Sequence, residues 1–175
     1  MSTAVFGIAT SRSQAERAVI DLRDAGFTGN DISVLFPDDS GTRDFAHEKA
    51  TKAPEGATAG GTVGGALGAG LGWLAGIGAL AIPGVGPFIA AGPIMAALGG
   101  AAVGATVGGL SGALIGLGMP ELEAKQYEAK LRKGNILLSV HADDREEKDR
   151  AKRIFEANNV EDISVGGEAS TPKNR

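Results

Sequence analysis

The sequence has no cysteine, which excludes disulfides, thiolate metal ligands and a cysteine nucleophile. Only two histidines are present, His47 and His141, with one tryptophan and one tyrosine. Charge is missing from a whole region: no acidic or basic side chain occurs from Gly56 to Pro120. A formal net charge of -4 provides no basic face for nucleic acid. The first residues carry no basic segment followed by an apolar run, so no cleaved secretory signal is expected. Proline is scarce, at 7 of 175 residues, so the abundant glycine, 28 residues, does not signal a Pro/Gly-rich disordered chain.

Roughly three quarters of the glycines lie in the uncharged middle. Gly60, Gly64, Gly68, Gly72 and Gly76 recur at every fourth position, as do Gly100, Gly104, Gly108, Gly112 and Gly116. On a helix such residues share one face, where another backbone approaches closely. A glycine inside a helix costs about 1 kcal/mol relative to alanine. Repeating that cost in register predicts close helix packing, and these ten glycines are the candidate packing and oligomerisation residues.

The two flanks follow one plan. Ala4–Ala9 predicts a strand, and Ser11 or Ser13 a helix cap, with Ser13 and Glu16 spaced as a capping box. The helix Arg12–Ala25 has an apolar face of Ala15, Ala18, Val19, Leu22 and Ala25. Gly26 and Gly29 stop it, and Ile32–Phe36 is a second strand ending at Pro37. In the second flank, Asn135–His141 is a strand, and Asp143 or Asp144 caps a helix reaching about Asn158. The strand Asp162–Val165 follows. Asp31-Ile32-Ser33-Val34 is repeated as Asp162-Ile163-Ser164-Val165, which points to an internal duplication. Two βαβ halves pair into a four-stranded sheet with two helices on one side, the ferredoxin-like arrangement of an α+β fold. A further helix, Glu121–Arg132, precedes the third strand, with Gly134 as its stop.

The predicted organisation is a first half at 1–37, a polar linker at 38–55, a glycine-zipper helical hairpin at 56–119, the second half at 120–166, and a disordered tail at 167–175. The hairpin turns at Pro83–Pro87, leaving arms of about 57–82 and 88–118. Each arm exceeds the ~20 residues that span a bilayer core. Lys49, Lys52, Lys125, Lys130, Arg132 and Lys133 lie near the ends, which suits cytoplasmic flanks. The alternative is a soluble assembly whose hairpins bundle into a shared core. A third reading, a small-ligand module on the exposed sheet face, lacks convergent polar residues. The Gly68–Gly72 and Gly84–Gly86 clusters have no strand–loop–helix context and no Gly-Lys-Ser/Thr triplet, so no phosphate loop is expected.

Catalytic chemistry is sparse. Ser139 and His141 share one face of a strand, but an edge-of-sheet surface position accounts for them without a triad. Asp143-Asp144 fits helix capping, and Asp38-Asp39-Ser40-Gly41 is turn chemistry. No enzyme activity, cofactor, metal or small-molecule substrate is expected.

Val5-Phe6-Gly7, the Ser11-x-x-x-Ala15 helix start, Gly26-Phe27-x-x-x-Asp31-Ile32-Ser33-Val34 and the glycine-rich block together resemble the bacterial general stress proteins with a 17M-like domain. The match is clearest over Ala4–Phe36. The resemblance implies a heat- or stress-induced protein with no catalytic residues to carry over. A ferredoxin-like domain split by a membrane hairpin is similar in plan to a subunit of respiratory membrane complexes, from which the long glycine repeat departs. The expected function is a non-enzymatic structural protein that inserts its hairpin in a membrane and self-associates. Its partners are its own copies and the lipid bilayer; the expected location is the inner membrane with both termini cytoplasmic, or else a cytoplasmic assembly.

Overall fold

The computed structural model describes residues 3–37, 78–82, 86–95 and 109–167. They form a mixed helix-and-strand fold around one antiparallel sheet of six strands. In chain order the elements are β1 (Thr3–Ala9), α1 (Arg12–Asp24), β2 (Ile32–Pro37), β3 (Gly78–Ile82), β4 (Gly86–Ala91), α2 (Gly109–Gly116), α3 (Glu121–Arg132), β5 (Ile136–Ala142), α4 (Arg145–Ala157) and β6 (Glu161–Gly167). The strands lie in the order β3-β4-β2-β5-β1-β6. Every neighbouring pair is antiparallel.

The two halves repeat each other down to their caps. β1 and β5 are both 7 residues long, and α1 and α4 both 13. Ser11 caps α1 by accepting from the Gln14 amide at 3.2 Å, while the Gln14 side chain takes the Thr10 amide at 2.7 Å. In α4, Asp144 accepts from the Glu147 amide at 2.8 Å, and the Glu147 carboxylate takes the Asp143 amide at 3.0 Å. Each is a capping box whose return bond reaches one residue further back than usual. The first box is therefore built on Ser11 and Gln14, not on Ser13 and Glu16. Both helices end with a left-handed residue, Gly26 (φ 98°) or Asn159 (φ 55°). The amide that follows, of Phe27 or Val160, then bonds back to Leu22 or Phe155.

Strand alternation divides the core into two layers. On one face Val5, Val34, Leu138 and Val140 pack with Ala15, Val19 and Leu22 of α1 and with Ala151 and Phe155 of α4. Gln14 ties these helices together, donating to the carbonyls of Asn158 at 2.9 Å and Asn159 at 2.5 Å. On the other face Phe6, Ile8, Leu35, Phe88 and Leu137 pack under Leu110 and Leu114 of α2 and under Tyr127 and Leu131 of α3. The second face is thus sealed, which overturns the expectation of an exposed sheet face available to a small ligand.

Within the uncharged segment, residues 78–82 and 86–91 are strands where helical arms were expected, while α2 is the helical part of the second arm. Residues 78–82 and 86–91 form a β-hairpin that extends the sheet beyond β2. Residues 83–85 lie outside the described residues, and the elements on either side of them are strands, not helices. The physical reason lies in the periodicity: residues four apart share a face in a strand as well as in a helix. Val34, Leu35 and Phe36 on β2 offered an unpaired edge that β4 fills.

Candidate functional site

The surface that carries the most information is the outer side of α2 and α3, the pair covering the second sheet face. α2 reads Gly-Leu-Ser-Gly-Ala-Leu-Ile-Gly, with no charge along its length. Leu110 and Leu114 are fully buried, whereas Ile115 is 41% and Leu122 71% exposed. A methyl group placed on Gly116 would meet nothing within 4 Å. Among the described residues, Gly116 therefore faces open space.

Polar bonds fix this pair of helices. Glu128 of α3 accepts from the Ser111 amide at 2.9 Å, placing a carboxylate at the α2 N-terminus, where the helix dipole favours it. Arg132 holds the same carboxylate at 2.5 Å. Burial pushes the Glu128 carboxyl up, but bonds from the Ser111 side chain and backbone, with the Arg132 charge, hold it below the usual range. On the other side α3 is tied to the edge strand β6. Tyr127 donates its hydroxyl to the Asp162 carbonyl. Ser164 donates to Glu123 at 2.5 Å, and Lys130 bridges Glu161 at 2.7 Å and Asp162 at 2.5 Å. The bonds to Asp162 and Glu161 raise the Lys130 ammonium above its ordinary value. Burial, then the Asp162 and Glu123 charges, raise the Tyr127 hydroxyl and keep it a donor.

Of the ten stripe glycines, only Gly112 and Gly116 lie on a described element, α2. Gly60, Gly64, Gly68, Gly72, Gly76, Gly100, Gly104 and Gly108 lie outside the described residues, as do His47 and Asp38-Asp39. Ser139 and His141 do share a face, but β5 lies inside the sheet between β2 and β1, which corrects the edge assignment. Ser139 is fully buried with no partner for its hydroxyl among the described residues, and His141 Nε2 lies 3.0 Å from Asp143. A serine sealed in the core has no access to a substrate. Among the described residues no group of acidic and histidine side chains would hold a metal ion. Likewise, among them no helix is long and apolar enough to cross a membrane.

The repeated serines have a use that sequence reasoning missed. Ser33 accepts from the Ile94 amide at 3.0 Å, and its counterpart Ser164 bonds Glu123. Each anchors a segment crossing the second face. Leu122 was findable, since it falls out of phase with Ala124, Tyr127 and Leu131, the buried side of α3. The Tyr127 contact was not, because it needs the backbone of an irregular strand. No protein-family profile, curated protein or solved structure matches the chain.

Proposed function

We propose that the chain is a non-enzymatic structural protein that associates with copies of itself through the uncharged α2 and the exposed Leu122 of α3. The carrying observation is the exposure of Ile115 and Leu122 on and beside a helix with no charge. We read these two exposed apolar side chains as contacts with another apolar surface. Gly112 and Gly116 lower the profile of α2 and admit a neighbouring backbone. In this reading the polar groups of the region hold the platform rigid and carry out no chemistry.

The frame is, in this proposal, a duplicated ferredoxin-like domain with an inserted hairpin. The order β2-β5-β1-β6 of the strands from the two halves, with α1 and α4 packed on one face, supports it. The stress-related role is the one the family resemblance implies. A second reading, lipid in place of sister copies, is favoured by the uncharged run from Gly56 to Pro120. The strand pairing of residues 78–82 with 86–90 weighs against its two-arm form with a turn at 83–87.

Expression without detergent, removal of membranes by ultracentrifugation and light scattering of the supernatant test the proposal. A uniform multimer that Ile115→Glu with Leu122→Glu dissociates is the expected result. Recovery only in detergent favours lipid, and a monomer at all concentrations refutes self-association.

A further inference from the structure

The sheet ends in two unlike edges. β6 is protected: its register with β1 shifts between Phe6 and Ile8, and Asp162 takes a positive φ of 50°. It also carries Glu161 and Asp162 and is strapped by Lys130 and Tyr127 of α3. Bulges, charges and covering helices are the devices that keep an edge from pairing. β3, Gly-Ala-Leu-Ala-Ile, has no charge and no proline. Among the described residues no element lies beyond it.

The register shows which main-chain groups β3 presents outward. In an antiparallel ladder, successive residues point their N–H and C=O groups to opposite sides. His141 donates to the Asp31 carbonyl at 2.7 Å, so Asp31 faces β5, as do Ser33, Leu35 and Pro37 by alternation. Val34 and Phe36 then face β4, where they meet Ala91 and Ile89. Phe88 and Ala90 accordingly face β3 and bond Leu80 and Gly78. This phase also places Pro37 and Pro87, which have no N–H, where neither owes a bond to the β4 ladder. The residues left facing away from β4 are Ala79 and Ala81.

We propose that β3 is a dimerisation strand that pairs antiparallel with β3 of a second copy about a twofold axis at Leu80. Ala79 lies opposite the partner's Ala81, and the two pairs exchange four main-chain hydrogen bonds. The two outward residues are symmetric about one position, so the edge is complementary to itself without any shift of register. At a twofold contact each residue near the axis meets its own kind, and any charge there would meet its like. β3 has none to repel, whereas β6 carries Glu161 and Asp162. Pairing of β3 with β6 would build an open chain of sheets, and the β6 bulge and charges oppose it. The proposal rests on the self-association reading but uses a different surface, so the two fail separately.

The test uses the full chain. Hydrogen exchange should find the amides of Ala79 and Ala81 slow in concentrated protein and fast on dilution. The amides of Leu80 and Gly78, bonded to β4, stay slow at both. Ala79→Pro and Ala81→Pro each remove one outward donor per copy and keep the bonds to β4. Each should weaken the dimer about ten- to a hundredfold without changing the circular dichroism. Ala79 and Ala81 amides that are fast at every concentration overturn the proposal. Protection independent of concentration overturns it too, since the same chain then covers the edge. Should a proline variant fail to fold, exchange in the unaltered chain still decides. A dimer indifferent to Ile115→Glu with Leu122→Glu but lost in Ala79→Pro supports β3 pairing and refutes the α2–α3 contact; the reverse pattern refutes β3 pairing.

Discussion

Gly92 and Ser139 lie on the same covered sheet face and respond oppositely to alanine. Gly92 turns the chain off β4 with φ at 93°, and a methyl group there would lie 2.3 Å from the Ile32 carbonyl and 2.5 Å from the Ser33 hydroxyl. The first obstacle is backbone and cannot rotate away. Gly92→Ala is expected to cost about 2 kcal/mol or more, from a strained φ added to overpacking, and denaturant unfolding measures it. Ser139 is buried with no partner for its hydroxyl among the described residues, which is an unfavourable desolvation. Ser139→Ala should leave stability unchanged or raise it by about 1 kcal/mol. A large loss in that variant would mean that the hydroxyl has a partner.

The capping boxes and the α3–β6 seam are governed by whole elements. Ser11→Ala and Asp144→Ala should each cost about 1 kcal/mol, and similar losses in thermal melts would express the equivalence of the two halves. The seam responds to alkali. Lys130 and Tyr127 both have raised values in the fold. Their contribution is therefore complete below their unfolded values of about 10 and is lost as pH rises beyond them. Glu128 has the opposite sign: its carboxyl is held low, so its contribution is present above about pH 4.3 and lost as pH falls through its folded value. Melting across pH with Lys130→Met and Glu128→Gln variants separates the two limbs. The flanking elements were legible because caps, apolar period and stop glycines agreed at each of them, as at Ser11, Leu22 and Gly26. The middle was not, since an uncharged run of Gly, Ala, Leu and Ile has the same four-residue spacing in helix and strand. Its strands came from a tertiary demand, the open edge of β2. Of the candidate surface, Leu122 could be read from helical phase; the Tyr127–Asp162 bond depends on a bulge that no local pattern announces.

For the whole molecule, the two halves interleave in one sheet: β1 of the first half lies between β5 and β6 of the second. Neither half can bury its own sheet face, and both cores draw on residues far apart in sequence, such as Val5 with Phe155 or Phe6 with Tyr127. A chain ending at residue 159 would lack β6, one of β1's two neighbours. It should lose cooperative unfolding altogether, a sharper result than a lowered midpoint, and calorimetry distinguishes the two.

The interleaving also governs the order of events during synthesis. β1 leaves the ribosome well before β5 and β6, the two strands that flank it. Until Ile136–Ala142 appears, β1 has neither of the strands that pair with it, while the uncharged run has already emerged. Late closure of this kind makes the unfinished polypeptide a natural client for chaperones that recognise uncharged segments, and it places the risk of misassembly before β5 and β6 are made.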